Sequence, residues 1–159
     1  MLKIEESVLG RYSRGAERRE ESLCCPVEYD PRFLEIIPPE VIERDYGCGD
    51  PSAHVQPGDV VLDLGSGSGK ICFIAAQVVG PRGNVIGVDM NQDMLALSRR
   101  YQPEIAAKLG YDNVRFVRGR IQDLRTDLDA ADGYLSRNPI NSLEELSAFE
   151  RAGEDQRSS

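Results

Sequence analysis

A glycine-rich turn between two apolar stretches is the first place in this sequence where chemistry is expected. The turn is Asp63-Leu64-Gly65-Ser66-Gly67-Ser68-Gly69. Residues 60–62 before it predict a buried parallel strand, and residues 71–79 after it predict a helix. Glycines let a ligand approach the backbone without a Cβ in the way, and a helix start offers free N–H groups. The pattern therefore predicts a nucleotide-like ligand here, and the alternative is a purely structural turn.

The acidic residues around the turn restrict the kind of ligand. The spacing G-x-G-x-G differs from the dinucleotide pattern G-x-G-x-x-G and from the phosphate-binding P-loop. A carboxylate at Asp63 would repel a pyrophosphate but attract an ammonium group. Asp89, about 20 residues after the last glycine, can accept hydrogen bonds from both hydroxyls of a ribose. Met90 is expected either to lie against an adenine ring or to have an ordinary packing role.

Three of the four cysteines lie in the polar first part of the chain. Cys24 and Cys25 are adjacent, with Cα atoms about 3.8 Å apart, so they are not expected to bridge to each other. Cys48 stands between two glycines. These thiols are expected either to bind a soft, thiophilic ion or to be incidental residues without a binding role. A zinc site is disfavoured because the sequence has no C-x-x-C and His54 is its only histidine. Cys72 is expected to be a small core residue.

Together these motifs resemble those of the S-adenosylmethionine-dependent arsenite methyltransferases, a family of class I methyltransferases. The resemblance covers about residues 10–124. It rests on the glycine turn, Cys24-Cys25, Tyr46-Gly47-Cys48-Gly49 and Gly87-Val88-Asp89-Met90. The glycine turn is shared by a very large superfamily, so the Tyr-Gly-Cys-Gly loop is the more specific part.

The resemblance implies S-adenosyl-L-methionine as cofactor, arsenite or its thiol adducts as substrate, and reducing thiols as partners. Cys48 and one of Cys24 and Cys25 would bind trivalent arsenic and form the catalytic site. Tyr46 would lie beside the methionine end of the cofactor. Arsenic held by thiolates would attack the sulfonium methyl group in line, so the protein would position the reactants and exclude water. The alternatives are a class I methyltransferase with another small-molecule acceptor, and a non-catalytic protein that binds cofactor or metalloid.

The loop after the third predicted strand, Gly119-Arg120-Ile121-Gln122-Asp123, completes the expected cofactor site. Many class I methyltransferases have an acid directly after this glycine, which accepts from the adenine amino group. Arg120 has only donors, so Ile121 and either Gln122 or Asp123 are the better candidates. The predicted cofactor-binding residues are Tyr46, Asp63, Gly65, Gly67, Gly69, Asp89, Met90, Ile121 and Gln122.

The elements that must position these residues alternate between strand and helix. Strands are predicted at 59–63, 84–89 and 114–118, with helices at 70–79 and 91–109 between them. This βαβαβ order implies an α/β fold with a Rossmann-like parallel sheet, right-handed crossovers and strand order 3-2-1.

The chain is expected to have three parts. Residues 1–58 would form an N-terminal cap with an amphipathic first segment and short helices near 32–37 and 40–44. Residues 59–124 would form the cofactor-binding half. Residues 125–159 would form a polar tail with helices near 126–137 and 142–152. Since no strand is predicted after Leu124, the first strand would be a bare edge, which natural proteins avoid. We therefore expect the first part of a longer enzyme, the alternative being a small complete protein whose terminal helices cover that edge.

The composition of the chain restricts its number of domains, its partners and its compartment. The 159 residues, 19 of them basic and 27 acidic, suit one domain and make nucleic acid an unexpected partner. No stretch reaches the ~18 apolar residues of a membrane span, and the N-terminus has acids where a signal peptide needs an apolar core. Four cysteines without framework spacing favour a reducing compartment. These features predict a cytoplasmic protein.

Overall fold

The computed structural model describes residues 28–47 and 49–157, and it confirms the α/β class with a three-stranded parallel sheet. The strands are β1 Val60–Leu64, β2 Asn84–Asp89 and β3 Val114–Arg118. The helices are α1 Pro31–Leu34, α2 Pro39–Glu43, α3 Lys70–Val79, α4 Gln92–Leu109, α5 Leu128–Arg137 and α6 Leu143–Arg157, with 3-10 turns at Pro51–His54 and Gly80–Arg82. The predicted amphipathic segment at 1–22 lies outside the described residues. No helix in the described part of the chain is long and apolar enough to cross a membrane.

The sheet brings the ends of its three strands to one edge. β1 pairs with β2 and β2 with β3, all in parallel, which is the predicted order. Leu64 pairs with Val88, and Asp89 pairs with Arg118. The residues that follow each strand therefore meet at the carboxyl edge of the sheet, where open α/β sheets bind their ligands.

The core lies between the sheet and the helices α3 and α4. Phe73 of α3 and Phe116 of β3 meet edge to face, with ring centroids 5.5 Å apart and an interplanar angle of 72°. Ile74, Leu95 and Ile105 are fully buried beside them. Each such side chain contributes about 1.5–3 kcal/mol by leaving water, so this layer holds the carboxyl edge in place.

The cap segment at residues 28–47 is bonded to α3 and to the turn before it. Gln77 Nε2 donates to the backbone carbonyl of Phe33 at 2.8 Å, and Ser68 Oγ donates to that of Val41 at 2.9 Å. Val41 is fully buried in the core cluster. The residues after α2 are therefore fixed beside the glycine turn.

The short and terminal helices differ from their predicted bounds. α1 ends at Leu34, because the residues before Pro38 and Pro39 are disfavoured in the helical region. α5 begins at Leu128, where the Asp127 side chain accepts from the backbone N–H of Ala130. α6 continues to Arg157 rather than stopping at 152.

β1 lies at an edge of the sheet formed by the described residues. Its side chains alternate, so that Val61 packs on the core while Val60, Leu62 and Leu64 point to the opposite face. Those three are 72%, 50% and 44% exposed. The predicted position of the first strand at a sheet edge is therefore confirmed for the described residues, and one apolar face of β1 is in addition open to solvent.

Candidate functional site

A cavity of about 470 Å³ opens at the carboxyl edge of the sheet. This volume lies in the range of small-molecule and cofactor sites. The cavity is lined by Arg44, Asp45, Tyr46, Gly47, Gly49, Pro51, Asp63, Gly65, Ser66, Gly67, Ser68, Ile71, Asp89, Met90, Asn91, Met94 and Ile121. Seven of the nine predicted cofactor-binding residues belong to this lining, and the exceptions are Gly69 and Gln122.

The glycine turn wraps over the end of β2. The backbone N–H groups of Gly65 and Ser66 both donate to the carbonyl of Val88, at 2.8 and 3.0 Å. The N–H of Gly67 donates to Asp89 Oδ2 at 2.8 Å. These three donors are satisfied within the chain, whereas a phosphate-binding loop aims its N–H groups at the ligand. The turn is thus built to hold the acid at the end of β2.

Asp89 is oriented from both sides. Oδ2 accepts from Gly67, and Oδ1 accepts from the backbone N–H of Asn91 at 2.8 Å. A carboxylate has about four lone-pair positions, so both oxygens keep capacity for a further donor. A fixed carboxylate at the cavity wall can therefore accept from a diol, as the sequence predicts for a ribose.

Gly69 serves packing at the start of α3. Its φ is +87°, and a Cβ there would lie 2.7 Å from Phe116 Cζ and 3.0 Å from Ser98 Cβ. The glycine is needed because β3 and α4 approach it closely, so a direct contact of Gly69 with the cofactor stays a prediction. Gln122 is exposed and outside the cavity lining. Its role as a cofactor contact likewise stays a prediction.

Replacing Gly69 by alanine is expected to destabilise the fold more than the same change at Gly67. Both have positive φ, which costs an alanine roughly 1–2 kcal/mol. Only Gly69 also meets other atoms, and such overpacking adds about 1–3 kcal/mol, since nothing lies within 4 Å of a Cβ at Gly67. Urea unfolding of the two variants measures the difference. Equal midpoints would show that α3 shifts without cost.

Asp63 has a partner that the sequence did not suggest. The Cys72 thiol donates to Asp63 Oδ2, with 3.2 Å between sulfur and oxygen. Burial raises the pKa of Asp63; the charges of Asp45 and Asp89 raise it further, and the thiol hydrogen bond opposes them. Burial also raises the pKa of Cys72 well above its usual value, so that Cys72 remains a neutral donor. The prediction that Cys72 is a core residue is confirmed, since it is fully buried.

The cavity combines negative charge with apolar surface. Asp45, Asp63 and Asp89 contribute carboxylates, while Met94 and Tyr46 pack together in a separate buried cluster. This arrangement suits a ligand that carries both a cation and an apolar ring, because carboxylates attract the former and side chains such as Met94 cover the latter.

The family model described as "Methyltransferase domain" matches residues 55–153. The matched range contains the three strands, the glycine turn and Asp89. The chain belongs to this methyltransferase domain family.

Two curated relatives and one solved structure are similar to this chain in sequence, in fold or in both. The chain is 39% identical over 137 residues to an arsenite methyltransferase of Aquipseudomonas alcaligenes, covering 82% of this chain and 39% of that protein. It is 44% identical over 97 residues to an arsenite methyltransferase of Halobacterium salinarum, covering 60% and 24% respectively. The crystal structure of an arsenic(III) S-adenosylmethionine methyltransferase from Chlamydomonas reinhardtii superposes with a TM-score of 0.56 and 34% identity, over 73% of this chain and 36% of that one. The methyltransferase-family chain therefore spans well under half the length of these relatives.

The predicted thiol ligands lie outside the described part of this family member. Gly47 and Gly49 line the cavity, but Cys48 between them, like Cys24 and Cys25, is not among the described residues. Within residues 28–47 and 49–157, no group of three or more histidines, cysteines and acids could hold a metal ion. The arsenic site therefore stays a prediction.

The sequence did not single out several residues of the cavity. Asn91 is the N-cap of α4 and accepts from the backbone N–H groups of Asp93 and Met94 at 3.0 and 3.1 Å. The pattern Asn-x-x-apolar after a strand signals a helix start, and such a start adjoins the strand's carboxyl end. Asp45 has no comparable local signal, because its place in the cavity depends on how the cap segment packs.

Proposed function

We propose that this chain transfers the methyl group of S-adenosylmethionine to trivalent arsenic held by cysteine thiolates. The observation that carries the proposal is the cavity at the carboxyl edge, which is lined both by Asp63 and Asp89 and by Gly47 and Gly49. The first pair suits the cofactor, and the second pair flanks Cys48. The similarity to arsenite methyltransferases over 137 residues supports the same acceptor.

The residues of the cavity fit S-adenosylmethionine by their chemistry. Asp63 would attract its ammonium and sulfonium charges. Asp89, already fixed by two backbone N–H groups, would accept from the ribose hydroxyls. Met90 and Ile121 line the same cavity and would cover the adenine ring. This arrangement explains why an acid, and not a phosphate-binding pattern, precedes the glycines.

The chain's own contribution to the reaction is positioning and exclusion of water. When bound, the cofactor supplies a methyl group on a positively charged sulfur. Cys48 and either Cys24 or Cys25 would hold arsenic through sulfur, which leaves the arsenic lone pair free to bond to the methyl carbon as the bond between that carbon and the sulfonium breaks. S-adenosylhomocysteine would then leave, and the arsenic, formally oxidised by two electrons, would be reduced again by the small thiols. Tyr46 and Met94 are buried side chains at the cavity and would keep water from that region. No proton needs to move, so no acid–base pair is required.

The proposed site requires reduced thiols. Trivalent arsenic binds thiolates, and a disulfide at these cysteines would block it. We accordingly propose that the protein works with small reducing thiols in a reducing compartment such as the cytoplasm, without nucleic acid as a partner. The division at residues 58 and 124 into a thiol-bearing cap, a cofactor-binding half and a helical tail belongs to the same proposal.

An acceptor assay tests the proposed function. The whole chain is incubated with methyl-labelled S-adenosylmethionine, a reducing thiol and either arsenite, selenite or no added acceptor. We expect label in methylated arsenic and only background transfer to selenite or to the thiol. Transfer to selenite or to the thiol at a rate equal to or above that for arsenite would contradict the acceptor. Binding of cofactor and arsenite without labelled product would contradict catalysis by this chain.

A further inference from the structure

We propose that Tyr29, Asp45 and Lys70 form a clamp that fixes the backbone of Gly47 and Gly49, the two neighbours of the proposed arsenic ligand. The clamp joins three separate parts of the chain: the start of the cap, the segment after α2 and the first residue of α3. Its importance for the substrate rests on the proposed function, because it is Cys48 that would bind arsenic.

The centre of the clamp is the buried ammonium group of Lys70. Lys70 Nζ lies 2.5 Å from Asp45 Oδ2 and 3.9 Å from the centroid of the Tyr29 ring. The side chains of Lys70 and Asp45 are only 7% and 8% exposed. The ammonium is therefore held by an ion pair on one side and by the face of an aromatic ring on another.

The two partners of Lys70 also hold the backbone on both sides of residue 48. Asp45 Oδ2 accepts from the N–H of Gly47 at 3.1 Å. The Tyr29 hydroxyl donates to the carbonyl of Gly49 at 3.0 Å. Gly47 and Gly49 are thus each bonded to a side chain that also contacts the ammonium group of Lys70.

Stability alone does not account for this arrangement. A cation at the first residue of α3 lies at the positive end of the helix dipole, which disfavours it. Burying an ion pair also costs desolvation, and an apolar pair of similar size often stabilises a fold as well. The charged pair adds a fixed orientation of the Asp45 carboxylate, because that group contacts both Lys70 Nζ and the N–H of Gly47. Glycine restricts its own backbone least, so the bonds from Asp45 and Tyr29 supply a restriction that Gly47 and Gly49 lack by themselves.

Two substitutions remove single parts of the clamp without touching the cavity lining. Tyr29→Phe keeps the ring over Lys70 and removes only the hydroxyl that bonds to Gly49. Lys70→Met removes the charge and keeps most of the volume, while Lys70→Arg restores a cation. Tyr111→Phe is the matched control, because the Tyr111 hydroxyl also donates to a backbone carbonyl, that of Ala76, away from the loop.

Amide hydrogen exchange, measured on the chain without arsenite, tests whether the clamp restrains the loop. We expect Tyr29→Phe and Lys70→Met to speed exchange of the Gly47 amide, whose N–H donates to Asp45, by about fivefold to tenfold, because each change removes a contact that holds Gly49 or Asp45 in place. Lys70→Arg should return most of the protection, and Tyr111→Phe should leave the loop unchanged. Exchange of the Gly47 amide that is the same in all four variants would overturn the proposal.

Binding measurements separate positioning from general loosening. We expect arsenite binding to weaken in Tyr29→Phe, with the affinity for S-adenosylhomocysteine and the unfolding midpoint close to those of the unchanged chain. Lys70→Met should weaken arsenite binding and also lower the unfolding midpoint, because it leaves the buried Asp45 without its cation. Loss of both affinities together in Tyr29→Phe would overturn the proposal, since it would mean that the whole site loosens. If the unchanged chain does not bind arsenite, the proposed function fails, and hydrogen exchange alone decides on the clamp.

Discussion

Replacing Asp89 by alanine is expected to weaken the binding of S-adenosylhomocysteine or S-adenosylmethionine by about 5- to 150-fold. This range corresponds to about 1–3 kcal/mol, the cost of leaving buried donors without an acceptor. The carboxylate lies at the cavity wall and is aimed by Gly67 and Asn91, so its loss leaves the ribose hydroxyls unpaired. Titration calorimetry of the folded chain measures the change directly.

Asp93→Ala is the matched control for this substitution. Asp93 is exposed in the first turn of α4 and does not line the cavity, yet its removal changes the net charge by the same amount. We expect the cofactor affinity of Asp93→Ala to match that of the unchanged chain. Equal affinities in Asp89→Ala and the unchanged chain would contradict the ribose assignment, while leaving the cavity itself in place.

Replacing Cys48 by serine is expected to weaken arsenite binding roughly 100-fold or more. Two linked contacts can exceed the affinity of one by about 10²–10⁴, and the substitution removes one of them. A hydroxyl is a hard and poorly ionised ligand, so serine cannot replace the thiolate at a soft ion. Calorimetric titration of each variant with arsenite, in the presence of a non-thiol reductant, gives the affinities.

Cys72→Ser makes the same chemical change away from the proposed ligands. Serine keeps a donor for Asp63, and Cys72 is a fully buried residue of α3, so arsenite binding should be unchanged. An equal loss in Cys48→Ser and Cys72→Ser would indicate a general effect on the fold. No loss in Cys48→Ser would remove this residue from the substrate site.

The alternating part of the fold was predictable because its signals are local. The helix at 70–79 and the strands at 84–89 and 114–118 have the bounds that the apolar runs predicted. A glycine adjoins each of them on at least one side and marks that boundary: Gly69 and Gly80, Gly83, and Gly119. β1 begins and ends one residue later than predicted. The glycine turn and Asp89 were recognised for the same reason, because their roles follow from spacing along one βαβ unit.

The parts that were not predicted depend on long-range pairing. Asp45 and Lys70 are 25 residues apart, and nothing near either of them shows that they meet. Cys72 was expected only to fill space, yet its thiol donates to Asp63 because α3 crosses β1 at that point. Interactions of this kind follow from how the elements pack, which periodicity does not specify.

Alkylation of the cysteines with and without arsenite tests the central claim most directly. The folded chain is treated briefly with an alkylating reagent, and mass spectrometry of the peptides gives the extent of reaction at each thiol. We expect arsenite to protect Cys48 and one of Cys24 and Cys25, while the reactivity of the buried Cys72 does not change. Alkylation of Cys48 at the same rate in both samples would contradict the proposed arsenic site.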